Sequence, residues 1–432
     1  MQLNSCYRSA SGTVVRPPEP LLQNELLLRR CRDLAGEDPA RALVLLWRHL
    51  RQQGAIDQGF SRDRCIREAE QAGELLAMGK TPQAVHPVAL LRAVDEHLAM
   101  GDLGQEPLVR QVELPAAPPS ESGSFFVVPR PQGWASRLAL SQPGHLEFWM
   151  RRHHVIPTVF RGISIEIQRL SWDLRKSLAA ARMPFAAGGF LDGILPDWSE
   201  RSPYHCRQLT NPDGRWRSVR KLVEVARKRG TTLVVLPELT IDPQVRAHLR
   251  DWLREQLPSS GFGLLVAGSF HEARTGDGAV GGQGHNIARI LDGYGDEVLQ
   301  HKKLRPMRTT AGEAVLDEDI EAGSYVRLLD APFGLVGTAI CLDFCEIGDA
   351  PVAELWQALG PALMLVPSMG NDGTNHAHRE RAKPLALQHG TATLVASQDP
   401  VVALARGMLW DQAARASARK PVLHGVLEWT DC

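Results

Sequence analysis

Three residues of different chemical type stand where apolar runs end. Glu238 follows "LVVLP" in "TTLVVLPEL" (231–239), Lys303 lies in "QHKKLRPM" (300–307), and Cys341 closes "LVGTAI". A carboxylate, an ammonium group and a thiol are the base, the electrostatic stabiliser and the nucleophile of covalent catalysis. A thiol near its free pKa of about 8.5 is mostly protonated at neutral pH, so it needs a base to attack efficiently. Glu238 would take that proton. The oxyanion formed on an attacked carbonyl would be met by Lys303 and by the backbone N–H of Leu342, the residue after the thiol. Taken singly, each residue has a plainer explanation. Buried free cysteine is common, a lysine in a basic loop is usually at the surface, and a glutamate after proline can mark a solvated strand end. The ordered set at strand ends is what points to chemistry.

The elements that must hold these groups are readable from periodicity. "GISIEIQRL" (162–170), "TTLVVLPEL", "FGLLVAGSF" (262–270), "NIARILD" (286–292), "FGLVGTAIC" (333–341), "PALMLVPS" (361–368) and "ATLVASQ" (392–398) are short apolar runs of strand type. Between them lie helical stretches such as "WRSVRKLVEVARKRG" (216–230), apolar on one face and basic on the other, which predicts an α/β domain with well-buried sheets. Trp216 at its start is expected to anchor the helix. "ILDGYGDEVLQ" (290–300) reads as a hairpin. Residues 20–110 are instead helical in period, with Asp38 and Pro39 opening one helix and a faint echo between "ELLAMGK" and "EHLAMGD". The Pro/Ser-rich stretch "LPAAPPSESGS" (114–124) is the expected linker, giving a helical N-terminal domain with its linker over 1–124 and a second domain over 125–432.

Composition narrows the function class. The chain has 432 residues, 44% of them hydrophobic and 23% charged, enough for two globular units. Forty-nine basic residues balance forty-nine acidic ones, so no overall field draws the chain to nucleic acid or to an anionic membrane. No segment approaches the roughly 20 apolar residues of a membrane span, and the N-terminus does not read as a signal peptide, so a cytoplasmic location is expected. Seven cysteines without a CxxC pair suggest neither a disulfide framework nor a zinc knuckle. His376, His378 and His389 lack the support of further ligand spacing, so no metal is expected.

From about residue 160 onward the sequence resembles the carbon-nitrogen hydrolase, or nitrilase, superfamily. "LVVLPEL" is similar to that family's glutamate segment, "HKKLRP" to its lysine segment and "GTAICLDFCE" to its cysteine segment, with "HNIARILDGYG" and "RAKPLALQHGTATLVASQ" as supporting matches. The resemblance implies a four-layer αββα sandwich after an all-α N-terminal domain. It also implies hydrolysis of a nonpeptide carbon-nitrogen bond through a thioester on Cys341, without a cofactor. The second lysine of "HKKL", Lys303, aligns as catalytic and Lys302 as its neighbour. A second carboxylate is implied beyond the lysine, with Glu313 the nearest match and Glu318 the fallback. Asp343, two residues after the thiol, lies at the oxyanion and substrate side and favours amides over nitriles. Cys345 reads as a packing residue. The expected partners are a small amide or nitrile, further copies of the chain in a homo-oligomer, and a protein partner for the N-terminal helices. Two other readings stay open: a metabolite-sensing regulatory protein on the same fold, and a glutaminase-like supplier of ammonia to a partner enzyme. The chain departs from the family in a long segment over about 171–212, a candidate lid, and in the stretch after Gln398.

Overall fold

A computed structural model describes residues 7–8, 14–15, 19–53, 62–83, 85–102, 108–114, 123–130, 146–180, 184–190, 192–198, 203–256, 263–273, 284–311, 314–345, 351–398, 405–410 and 428–431. The chain forms two compact units, the first made of 1–119, 123–130 and 141–156, the second of 120–122, 131–140 and 157–432.

The first unit contains helices α1 (Glu19–Glu37), α2 (Pro39–Gln53), α3 (Arg62–Ala77) and α4 (Pro87–Gly101). Asp38 caps α2, its carboxylate accepting from the Arg41 N–H at 3.1 Å, as the Asp-Pro start predicts. Leu43, Leu46, Trp47 and Leu50 recur at three and four residue steps, so α2 buries one stripe against Leu90, Leu91, Val94 and Leu98 of α4 in a common core. Strands β1 (Arg110–Glu113), β2 (Ser124–Pro129) and β3 (His153–Pro157) form a sheet in that order, and the Phe125 ring meets Trp47 edge-on at 5.9 Å. Asp95 of α4 is fully buried and accepts from the N–H groups of Arg151 and Arg152 and from His153, tying helix to strand. The unit is therefore mixed rather than all-α. Residue 124 is not the division between the compact units, because β2 is the middle strand of this small sheet; the chain passes to the second unit near residue 157.

In the second unit, β4 (Ile163–Arg169), α5 (Trp172–Ala180), β5 (Pro184–Ala187), α6 (Pro212–Lys228), β6 (Leu233–Val235), α7 (Pro243–Glu255), β7 (Leu264–Glu272), β8 (His285–Asp292) and β9 (Glu297–Lys302) come first. β10 (Tyr325–Ala331), β11 (Gly334–Thr338), α8 (Leu342–Cys345), α9 (Pro351–Leu359), β12 (Leu363–Met369), α10 (Asp372–His389), β13 (Ala392–Gln398), β14 (Ala405–Trp410) and β15 (Glu428–Asp431) follow. One sheet runs β9-β8-β7-β6-β5-β15 and the other β14-β13-β12-β11-β10-β4, with the short strand Val159–Phe160 at its edge. Leu233 and Val235 of β6 enter a core shared with Val336, Leu363, Leu365 and Leu394 of the other sheet. Val234 and Leu236 point into a second core with Val219 and Val223 of α6 and Val245 and Leu249 of α7. Alternate side chains of one strand thus serve two apolar layers, which is why the run carries no polar alternation. The predicted hairpin is β8–β9, turned through Gly295 at φ 79°. The stretch 171–212 is not a single loop, since it holds α5 and β5, and β5 is an interior strand between β6 and β15.

Candidate active site

Glu238 leaves the end of β6 over a bulge in its neighbour. The β7–β8 register shifts between Val266 and Ser269, and Gly268 there has φ 60°. A Cβ at Gly268 would stand 2.3 Å from the Pro237 carbonyl oxygen, so only glycine lets the two backbones come this close. The Leu239 N–H then donates to Ser269 O at 2.7 Å and the Glu238 N–H to Ser368 O at 3.3 Å. Glu238 is 2% exposed. Its Oε2 accepts from the Met369 N–H at 3.0 Å, and its Oε1 accepts from Asn286 Nδ2 and Lys303 Nζ, each at 2.9 Å.

Lys303 follows β9 and is 1% exposed. Its N–H donates to Asn286 O and its carbonyl accepts from the Gly323 N–H, both at 2.8 Å. Its Nζ lies 2.7 Å from Glu318 Oε2 as well as against Glu238. Burial works against the ammonium charge, but Glu238, Glu318 and Cys341 outweigh it and hold Lys303 well above the usual lysine range. Glu318 Oε1 accepts from Asn286 Nδ2 at 3.0 Å and meets His271 Nε2 at 2.9 Å. Since His271 Nδ1 accepts from the Cys206 N–H, Nε2 carries the proton. Burial would raise the Glu318 carboxyl, yet Lys303 and His271 together draw it down to about 2.

Cys341 sits just past β11 with φ 45°, a left-handed backbone that non-glycine residues rarely adopt and that turns the side chain out of the sheet at the start of α8. Its N–H donates to Pro367 O at 2.9 Å and its Sγ donates to Met369 O at 3.5 Å. Ser368 Oγ donates to Sγ at 3.3 Å and lies 2.9 Å from His378 Nε2 of α10. The thiol is raised well above its ordinary value, first by its hydrogen-bond contact with Cys345, then by burial and by the charge of Glu238, with His378 pulling the other way. These influences favour the protonated thiol. Glu238 and Cys341 both bond to the backbone of Met369, which brings carboxylate and thiol to one peptide.

Glu238 and Lys303 are in direct contact, and Cys341 is linked to Glu238 through the backbone of Met369. Glu313 lies outside the described residues, and among the described residues Glu318 joins Glu238 at Lys303. The Leu342 N–H makes no hydrogen bond among the described residues and stands next to the sulfur-bearing residue. Asp343 is turned elsewhere: its Oδ2 accepts from the Leu304 N–H at 2.8 Å and lies 3.4 Å from His301 Nε2. It braces the turn after Lys303. Sequence reasoning passed over Asn286, His271 and Ser368, which sit inside apolar strand runs, where a single polar residue between buried neighbours is the available signal. Among the described residues no group of His, Cys, Asp and Glu is arranged to hold a metal ion, and no helix is long and apolar enough to cross a membrane.

No family model matches the chain, and no curated protein matches it. Solved structures similar to it include the C. elegans NitFhit protein, at 19% identity and TM-score 0.39, covering 53% of this chain and 55% of that one. The chain thus spans about half the length of NitFhit. Another is a Glu-to-Gln mutant of the amidase from Nesterenkonia sp. AN1, carrying the acetamide moiety of fluoroacetamide on its active site cysteine, at 15% identity and TM-score 0.41, covering 58% and 89%. A Cys-to-Ser mutant of that amidase, described as from the nitrilase superfamily, matches at 16% identity and TM-score 0.41, covering 59% and 93%.

Proposed function

We propose that the second unit is a nitrilase-like αββα sandwich that hydrolyses a nonpeptide carbon-nitrogen bond, an amide rather than a nitrile, through a thioester on Cys341. The observation that carries this reading is the buried Lys303 ammonium shared by Glu238 and Glu318, at 2.9 and 2.7 Å, in the same pocket of backbone contacts as a thiol on strained backbone. Buried charges without a task are costly to keep, and these three satisfy one another in a way that also suits acyl transfer.

As Sγ bonds to the amide carbon, the thiol proton passes to Glu238 and the carbonyl π pair moves to oxygen, where Lys303 and the Leu342 N–H meet the charge. Collapse breaks the carbon-nitrogen bond, and the leaving nitrogen takes the proton from Glu238. Water then gives a proton to Glu238 and adds to the thioester carbon. The second collapse expels the Cys341 sulfur, which recovers that proton as the acid leaves. Glu318 stays ionised throughout and keeps Lys303 charged and in place.

The test is a Glu238→Gln chain incubated with a small amide or activated ester and weighed intact. Adding the acyl mass to Cys341, located by peptide mapping, is the expected result. An acylated residue elsewhere, or no adduct with any amide, nitrile or ester of a broad panel, would sink the reading. The N-terminal unit is proposed to bind another protein or a further copy of the chain, since every group in the site lies beyond residue 157.

A further inference from the structure

Ser368 and His378 have no part in the steps above, yet both are fully buried and both point toward the nucleophile. The Cys341 thiol donates to Met369 O, and Ser368 spends its single hydroxyl proton on Sγ. Ser368 Oγ can then only accept from His378, so His378 Nε2 carries a proton. His378 Nδ1 is buried with no partner among the described residues, which suits a bare lone pair better than a second stranded N–H. The Phe344 ring stacks on the imidazole at 5.9 Å and 27° and fixes its plane. Every hydrogen on this chain of atoms is therefore aimed at the sulfur, and none is positioned to be taken from it.

We propose that Ser368 and His378 are positioning residues for the reaction at Cys341, a donor chain from Nε2–H through Oγ–H that steadies the sulfur whenever it carries negative charge. This rests on the hydrolase reading and deepens it. Negative charge builds on Sγ twice, once at attack and once when the thioester expels it, and a fixed donor acts at both moments without reorganising. Glu238 remains the proton acceptor, supplied by the other sheet. The groups that face the sulfur are Glu238 and Cys345, which disfavour its charge, Lys303, whose own charge it supports in return, and His378, which favours the sulfur's charge. Removing the donor chain leaves Lys303 alone to oppose the disfavouring groups, so the thiol should need a higher pH to ionise.

The experiment follows iodoacetamide alkylation of Cys341 against pH in the full chain, with peptide mapping to confirm the site, for the native protein and for Ser368→Ala, His378→Gln and His378→Phe. In Ser368→Ala and His378→Phe the alkylation midpoint is expected to rise by about one unit, with the rate near pH 8 falling about tenfold. His378→Gln, which keeps an N–H of similar reach, should restore most of the rate, and kcat for an activated ester should fall in step while KM stays put. Ser368→Ala removes one oxygen atom, so it carries the test should His378→Phe fail to fold. A native midpoint and native kcat in Ser368→Ala overturn the donor chain while leaving the hydrolase reading standing. A Cys341 that resists alkylation in the native chain while another cysteine reacts overturns both.

Discussion

Lys303 Nζ stands 2.7 Å from Glu318 Oε2, and neither side chain is more than 1% exposed. This pair sets the charge of the site before any substrate arrives. Glu318→Gln should keep the shape, loosen the ammonium and lower kcat by about a hundredfold with little change in KM, read by steady-state kinetics. Lys303→Met should be nearly inactive, whereas Lys302→Met, at the end of β9, should be mild. The acid side follows from linkage. Glu318 is held near 2, below an unfolded value of about 4.3, so the stability it contributes is present above that unfolded value and is lost as pH falls toward 2. Acid unfolding followed by circular dichroism should be shallower across that window in Glu318→Gln.

Gly268 lets the backbone before Glu238 come close to β7. Gly268→Ala places a Cβ 2.3 Å from Pro237 O on a backbone with φ 60°, so it should cost about 2 kcal/mol or more and abolish turnover in the folded fraction. Thermal melting and activity per folded molecule check this, and an alanine variant with native activity would show that the bulge is not needed.

The two thiols of "CLDFC" should separate cleanly. Cys341→Ala ends turnover and leaves the fold intact. Cys345→Ala removes the largest influence that raises Cys341, so the alkylation midpoint of Cys341 should move down while ester hydrolysis continues. A midpoint that moves up would show that Cys345 supports the thiolate.

Removal of the N-terminal unit should depend on where the cut falls. A chain beginning at residue 125 keeps β2 and β3 without β1 and the helices that cover them, and such stripped strands invite aggregation. A chain beginning at residue 157 should remain soluble and acylate Cys341. Size-exclusion chromatography with mass detection distinguishes the two, and aggregation of the shorter chain would mean that the units form one core.

What could be read in advance follows from how burial is written in the residues. Several strands of the second unit are legible as apolar runs, among them β6, β7, β8, β12 and β13, whereas β5 and β10 are not among the runs that the periodicity picks out, and Glu238 and Cys341 stand out because each ends such a run. Glu318 is not separable from Glu313 by pattern, since both stand in a mixed stretch and the choice is made by a lysine reached only through space. Asn286 and His271 hide inside strands, where their neighbours dominate the signal. The Gly268 bulge looks like any glycine in "VAGSF". In the first unit, Arg110–Glu113 is short and three of its four residues are polar, so it does not stand out as a strand from the helical text before it.

Glu238, Asn286 and Lys303 hang from one sheet, and Cys341 and Ser368 hang from the other, joined across the gap by the Glu238–Met369 contact. On the hydrolase reading, turnover would work as a gauge of how one sheet is seated on the other. A sub-ångström slip at Leu365 or Val235, far from any reacting atom, would move base and nucleophile in different directions at once. The apolar layer between the sheets is in that sense part of the instrument, and its alignment sets a tolerance that ordinary measures of foldedness do not see.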